Sequence, residues 1–203
     1  MSSCRPAKFS NVNFQYKSNK MLVLNFSPFP IIETDRLLFR RVSEHDVNEI
    51  LELRSNPETM KYIPRPLLQN LEDALGHYRM IDEAIENNTG INWAVTLKGS
   101  PKLLGIIGFY RIQPENYRAE IGYMILPEFQ GKGIVTEAIQ TLVEYAFDEM
   151  KLHSVEAVID PDNGASERVL QKCNFVKEAH FRENEFYGGK FWDSVIYSIL
   201  NKK

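Results

Sequence analysis

The sequence has few of the residues that mark several common classes of protein. Only two of its 203 residues are cysteine, Cys4 and Cys173. Two cysteines are too few for a disulfide framework, and their spacing does not suit a metal site. No apolar run approaches the roughly 18 residues that a membrane span needs. The basic N-terminus is followed by no apolar segment of useful length, so we expect a cytoplasmic protein, without a secretion signal or a bound metal.

Charge of one sign is also scarce. The formal net charge is −3, and the sequence contains no dense block of lysine and arginine. Nucleic-acid binding would need such a local patch, so we expect no direct contact with nucleic acid. The four histidines, at positions 45, 77, 153 and 180, are scattered along the chain. Their spacing does not indicate a metal site.

The composition is that of one globular domain with a short polar extension. Hydrophobic residues make up 43% of the chain, which is sufficient for one good core. Residues 1–20 are polar and show no period, whereas Met21 opens the first apolar stretch. We therefore expect residues 1–20 to be a disordered tail, or to precede the true start, and residues 21–203 to form a single domain.

Apolar periodicity predicts a mixed α/β fold. A strong helix follows a three-stranded meander, and Gly188-Gly189 predicts a late hairpin. We expect helices on a largely antiparallel sheet of six to seven strands, with about four helices. In chain order, the predicted elements are a strand at 37–42, a helix from 47 to about 56, a helix at 70–86, strands at 91–97, 103–110 and 119–126, a helix from about 134 to 150, a strand at 154–159, a helix at 165–172 and the hairpin.

A glycine loop, Gln130-Gly131-Lys132-Gly133-Ile134-Val135, joins the meander to the strong helix. The first amides of a helix have no internal partner, and the helix dipole adds positive charge there, so such a loop can bind an anion. Glycine also lets a phosphate approach the main chain closely. The same residues are equally typical of a tight turn without a ligand. The loop lacks the spacing of a P-loop and the third glycine of a dinucleotide-binding fingerprint.

Four segments in the right order resemble the GNAT superfamily of N-acetyltransferases, and within it the branch of Rim-type ribosomal-protein alanine acetyltransferases. They cover about residues 31–200 and are the stretches at 32–40, 120–127, 130–138 and 163–175. The resemblance implies a sheet splayed at the cofactor site and acetyl-CoA as co-substrate. It also implies an amine as acceptor, either a protein N-terminus or a small molecule.

The resemblance further implies which residues bind the cofactor. Val135 departs from the family pattern, which usually has glycine or alanine there, but only its amide is needed. Asn163 can also act simply as the cap of the helix that follows it. The implied pyrophosphate residues are Gln130, Gly131, Lys132, Gly133, Ile134, Val135 and Thr136; Met124, Ile125 and Leu126 are implied along the pantetheine arm, and Asn163 and Ser166 close to the cofactor.

Catalysis of acetyl transfer needs a base, because amines are protonated at neutral pH. Glu120 is our first candidate, although an exposed carboxylate at a strand end would fit the same position. Glu137 is the second candidate, although an acid in the first turn of a helix also complements the dipole. Many family members have a tyrosine acid where this chain has Leu170. We therefore assign the acid role to Ser166, or to a water near the thiol.

Three alternatives stay open at this point. A non-catalytic acyl-CoA-binding module would account for Leu170 and Val135, and a pure interaction module would leave the glycine loop unexplained. Cys173 could serve as a covalent nucleophile, but no histidine stands at a suitable spacing, so we predict a buried apolar role. The sequence does not identify the acceptor, and it is compatible with a homodimer.

Overall fold

The computed structural model describes residues 21–202, which form eight strands and five helices. The predicted tail at 1–20 lies outside this range. The strands are β1 (Ile32–Glu33), β2 (Leu37–Arg41), β3 (Ile91–Leu97), β4 (Leu103–Gln113), β5 (Arg118–Ile125), β6 (Ser154–Ile159), β7 (Val176–Tyr187) and β8 (Lys190–Leu200). The helices are α1 (Val47–Ser55), α2 (Pro57–Met60), α3 (Leu71–Glu86), α4 (Ile134–Asp148) and α5 (Gly164–Lys172).

All eight strands belong to one sheet with the order β1-β2-β3-β4-β5-β6-β8-β7. Neighbouring strands are antiparallel except for β5 and β6, which are parallel. The β5–β6 pairing covers only Arg118–Glu120 against Ser154–Glu156. Beyond these residues, the two strands lose their pairing, which opens the centre of the sheet.

Helices cover the two faces of the sheet. Tyr145 of α4 stacks edge-on against Trp93 of β3, with 5.5 Å between the ring centroids. On the opposite face, Arg54 of α1 contacts Met124 of β5. Since alternate residues of a strand point to opposite faces, β5 presents Tyr123 towards α4 and α5 and Met124 towards α1. The core lies on both sides of the meander β3–β5.

The observed elements follow the predicted ones closely, with two additions. The sheet has eight strands, where six to seven were expected, because the short strand β1 pairs with β2. The second addition is α2, which begins where Asn56-Pro57 was predicted to end a helix. The Asn56 side chain accepts hydrogen bonds from the N–H groups of Glu58 and Thr59 and caps the new helix. Proline at the first helical position completes this start.

The entrance to α1 is held by a buried ion pair. Ser43 and Asp46 form a capping box around a single 3₁₀ turn. Asp46 also accepts two hydrogen bonds from Arg40 of β2, at 2.6 and 2.8 Å. Burial acts to raise the pKa of Asp46, but the bonds from Arg40 and Ser43 prevail and hold it below its usual range.

Two further observations concern the described part of the chain. Within residues 21–202, no helix combines the length and apolar character required to cross a membrane. The same residues contain no cluster of three or more histidine, cysteine, aspartate or glutamate side chains placed to hold a metal ion.

Candidate active site

The gap between β5 and β6 is the feature around which the candidate residues gather. The Leu126 N–H donates to the carbonyl oxygen of Leu104 on β4, at 2.8 Å. In a strand, the main-chain groups of alternate residues point to the same neighbour. The main-chain groups of Met124 therefore also point to β4. Those of Tyr123 and Ile125 point into the gap, where the described residues offer no partner strand.

This geometry redistributes the roles expected of residues 124–126. Leu126 is fully buried, and its carbonyl oxygen accepts from the Phe129 N–H at 2.9 Å. Both main-chain groups of Leu126 are thus used within the protein, so Leu126 and Met124 cannot offer theirs to a molecule in the gap. The residues that can are Tyr123 and Ile125.

The glycine loop lies at one end of this gap. Gly131 and Gly133 have φ angles of 70° and 74°, a region that residues with a side chain seldom adopt. Glycine is therefore required here by the backbone conformation, and not only by the space that a phosphate would need. The first helical bond of α4 runs from the Glu137 N–H to the Gly133 carbonyl oxygen. It leaves the amides of Ile134, Val135 and Thr136 without a helical partner.

The side chains of the loop divide into an exposed and a buried set. Gln130, Gly131, Lys132 and Gly133 are exposed, and the Lys132 ammonium lies 5.2 Å from the centroid of the Phe129 ring. The Ile134 side chain is buried, and Val135 packs partly against the core. The Thr136 carbonyl oxygen faces the Cys173 thiol at 3.6 Å.

Arg36 contacts the glycine loop from a distant part of the chain, and the sequence did not predict it as a site residue. Its guanidinium donates to the Lys132 carbonyl oxygen at 3.2 Å and forms an ion pair with Glu137. Glu137 also accepts from the Thr34 hydroxyl at 2.6 Å. Glu137 therefore anchors the loop to the segment before β2, which leaves it poorly placed for the base role considered above. Residue Arg36 stands almost a hundred positions before the loop, and no local pattern links the two.

Glu120 is buried, with 3% of its surface exposed. The interpretation as an exposed carboxylate at a strand end is therefore wrong. Its side chain accepts from the Tyr110 hydroxyl at 2.6 Å and from Arg111 at 2.8 Å. Burial raises the pKa of Glu120, while the bond from Tyr110 and the charge of Arg111 offset part of the rise. A raised pKa brings a carboxylate closer to that of a useful general base.

Glu120 lies at the edge of an open cleft of about 710 Å³ on the α1 face of the sheet. The cleft runs over β5, β6 and β8 towards β7. Its charged lining includes two ion pairs, Arg111 with Glu120 at 2.8 Å and Arg118 with Glu156 at 3.5 Å. The cleft gives Glu120 a route to solvent on this face.

Ser166 lies in the first turn of α5. Its N–H donates to the Asn163 side chain at 3.1 Å, so Asn163 caps this helix as predicted. Asn174, just after this helix, takes a left-handed conformation with a φ angle of 64°, as residues that end helices often do. Leu170, at the usual tyrosine position, is fully buried in the core.

Tyr123 is a further candidate for the acid, because Leu170 has no proton to give. Its hydroxyl is buried and lacks a well-formed hydrogen bond among the described residues. Burial raises the pKa of Tyr123 to about 12, and the nearby Ser166 hydroxyl counters part of the rise. The alternation of β5 places this side chain on the apolar face. The buried hydroxyl, which has no well-formed hydrogen bond among the described residues, distinguishes Tyr123 from the purely apolar side chains of that face.

Cys173 is buried, as predicted, with 4% of its surface exposed. Burial raises the pKa of its thiol to about 11. A thiol that stays protonated is a poor nucleophile. The structure therefore supports the apolar role over a covalent one.

Known proteins are similar to this chain in both sequence and fold. Residues 36–176 match the model of the acetyltransferase (GNAT) domain. An uncharacterised N-acetyltransferase of Bacillus subtilis, YoaA, is 34% identical over 175 residues, covering 86% of this chain and 99% of that protein. The ribosomal-protein-serine acetyltransferase of Escherichia coli is 32% identical over 99 residues, 49% of this chain and 55% of that protein. A GNAT-family acetyltransferase structure from Bacillus anthracis superposes with a TM-score of 0.76 at 31% identity, covering 86% of this chain and all of that one.

Proposed function

Since this chain belongs to the GNAT family of N-acetyltransferases, we propose that it transfers an acetyl group from acetyl-CoA directly to a primary amine. The acceptor is a small molecule or the N-terminal amine of a protein. The observation that carries this proposal is the gap between β5 and β6, which leads from the unpaired amides at the start of α4 to the buried carboxylate Glu120.

The gap and the glycine loop suit the two parts of a CoA molecule. Unpaired amides at Ile134–Thr136, with Lys132 and Arg36 beside them, offer hydrogen bonds and positive charge to a pyrophosphate. The free edge of β5 at Tyr123 and Ile125 can pair with the amides of a pantetheine arm, as an added strand would. Ser166 of α5 lies close to Tyr123 at this gap, and Asn163 caps the same helix.

Acetyl-CoA supplies an activated thioester, and the residues of the chain handle the protons. Glu120 removes the proton of the acceptor ammonium through a water in the cleft, so that the amine can form the new bond to the carbonyl carbon. A main-chain N–H on the free edge of β5 stabilises the oxygen of that carbonyl as it gains charge. As the carbon–sulfur bond breaks, Ser166 or Tyr123 gives a proton to the thiolate and regains one from the nitrogen, which loses its remaining extra proton as the amide forms.

The proposal is tested by two measurements on the full chain. Calorimetry should detect acetyl-CoA binding, and release of free CoA should follow when an acceptor panel of N-terminal peptides, amino acids and polyamines is added. Absence of binding at millimolar acetyl-CoA would sink the proposal. Binding without CoA release for any amine would instead favour the non-catalytic module.

Gly133→Val is expected to weaken acetyl-CoA binding roughly 10- to 100-fold, the loss of one or two charge-assisted hydrogen bonds. Valine is strained at a φ of 74°, and relief of the strain would turn the loop amides away. Calorimetry with acetyl-CoA checks the result. The matched control is Gly99→Val, in the turn between β3 and β4. It also has a positive φ, 79°, and open space for a side chain, so it should share the loss of stability but retain normal affinity.

Tyr123→Phe is expected to lower kcat roughly 10- to 100-fold, a modest acid effect because a thiolate is a tolerable leaving group. The same change should leave thermal stability unchanged or raised, since it deletes a buried hydroxyl that lacks a good partner. Steady-state kinetics and thermal unfolding measure the two. If Ser166 and Tyr123 act as a unit, the double variant with Ser166→Ala and Tyr123→Phe should have a kcat only slightly below that of Tyr123→Phe alone. An unchanged kcat in both variants would remove them from the mechanism.

A further inference from the structure

Arg54 is a partly buried cation on the same face of the sheet as Glu120, and among the described residues it forms no ion pair with a carboxylate. Its Nη1 lies 3.7 Å from the sulfur of Met124. Its Nε is buried and has no hydrogen-bond partner among residues 21–202. The ion pairs formed within that range include other arginines but not Arg54.

A second cation lies near Arg54 and adds positive charge to its surroundings. Burial lowers the pKa of Arg54, and the nearby Arg65 lowers it further. His77 of α3 is also close; burial, with the charge of Arg54, lowers its pKa to about 4, so His77 is neutral at physiological pH. Partial burial of a charge without a counter-ion is unfavourable. A charge kept at such a cost calls for a partner that is not part of the protein.

The position of Arg54 connects it to the proposed site of transfer. Met124 stands four residues after Glu120 on a regular stretch of β5, so both side chains point to the same face, about 13 Å apart along the strand. Arg65 lies within electrostatic range both of Arg54 and of Tyr110, the donor to Glu120. The cations and the carboxylate thus border the same length of strand, beside the gap.

We propose that Arg54, with Arg65 beside it, binds an anionic group of the acceptor, so that the preferred substrate is an amine that also carries a carboxylate or a phosphate. The inference deepens the proposed function and rests on it. Glu120 serves the amine end, and the guanidinium of Arg54 serves the anionic end. Arginine suits this role because its fork of donors matches the oxygens of both groups. A plain polyamine would place positive charge against Arg54 and Arg65.

The first test compares acceptors that differ only in the anionic group. Long-chain ω-amino acids, the corresponding amides, aminoalkyl phosphates of similar length and spermidine are offered to the wild-type protein and to Arg54→Met. We expect the wild type to prefer the carboxylate or phosphate member of a set over the uncharged member by 10- to 100-fold in kcat/KM. Arg54→Met should abolish that preference while the KM for acetyl-CoA stays unchanged.

Exposed Arg79, paired with Glu72 across 3.5 Å, provides the control variant Arg79→Met, which should behave as the wild type. The anion that gives the stronger preference, carboxylate or phosphate, identifies the anionic group that the acceptor carries. A wild type that prefers amides or spermidine would overturn the proposal, as would an equal loss for charged and uncharged acceptors in Arg54→Met.

The second test does not depend on turnover. The Nε–H resonance of Arg54, identified by its absence in Arg54→Met, is followed by NMR in CoA-loaded protein. Acetate and inorganic phosphate are added against chloride at equal ionic strength. A saturable shift confined to the first two anions is expected, and no shift would overturn the subsite. If no amine is acetylated, the proposed function fails, while this titration still decides the anion subsite.

Discussion

Glu120→Gln should lower kcat by roughly 10²- to 10⁴-fold, the usual contribution of a general base. Glutamine keeps the shape of the side chain and its bond from Tyr110, but it cannot take a proton from the acceptor. Affinity for acetyl-CoA should not change, because the loop amides and the free edge of β5 are untouched. Steady-state kinetics with a saturating acceptor, together with calorimetry for acetyl-CoA, separate the two effects.

The base role of Glu120 also predicts the direction in which kcat/KM changes with pH. Burial raises the pKa of Glu120, so kcat/KM of the wild type should rise with pH as Glu120 loses its proton, at a higher pH than for an ordinary glutamate. Arg111→Met removes a charge that lowers this pKa and should move the rise to still higher pH. In Glu120→Gln, the rise should disappear.

Glu156→Gln is the matched control for this carboxylate. Glu156 lines the same cleft, is 12% exposed and pairs with Arg118. It stands directly opposite Glu120 on β6, so loss of its charge tests general electrostatics of the cleft. A loss of kcat in Glu156→Gln as large as in Glu120→Gln would remove Glu120 from the base role.

The second large effect is expected on stability. Asp46→Ala should lower the free energy of unfolding by about 3 kcal/mol, because it leaves the largely buried Arg40 without its counter-ion. For a domain of this size, that corresponds to a fall in Tm of roughly 6–12 °C. The Arg40 side chain is 23% exposed and that of Asp46 4%, so solvent can do little to compensate. Thermal and urea unfolding measure the change.

The same pair predicts a loss of stability in acid. The pKa of Asp46 is lowered in the folded protein, so its contribution is complete above the unfolded value, about 3.9, and is lost as the pH falls through the folded one. Asp46→Ala should therefore show a weaker dependence of stability on pH below about 4. Glu72→Ala, which breaks the exposed pair with Arg79, should cost less than about 1 kcal/mol. Equal effects of the two variants would contradict the importance of burial.

Local patterns predicted most of the fold and the position of the glycine loop. The helix α3, the meander and the hairpin follow from apolar spacing and from Gly188-Gly189. The short elements β1 and α2 were not predicted, because two and four residues are too few to show a period. Resemblance to a family, and not spacing, suggested the splayed sheet, and the structure places the gap after Glu120.

The candidate site was predicted only in part, since its remaining members depend on contacts between distant segments. Arg36 reaches the loop from a position before β2, and Arg54 reaches Met124 from α1. The alternation of β5 puts Tyr123 on the apolar face, but such a pattern does not reveal whether a buried hydroxyl has a partner. Glu120 shows the converse, because its charge suggested exposure while Tyr110 and Arg111 allow its burial.

The short parallel pairing at the centre of the sheet has a consequence for how the domain responds to its ligand. Three residue pairs join the block β1–β5 to the block β6–β8, so the sheet by itself is nearly two separate sheets. A molecule that pairs with the free edge of β5 and also contacts α5 connects the two blocks. Binding of that molecule then raises the free energy of unfolding of the whole domain, by about 2.7 kcal/mol at a ligand concentration one hundred times Kd. In such a fold, the co-substrate is also a structural strand, present only while it is bound.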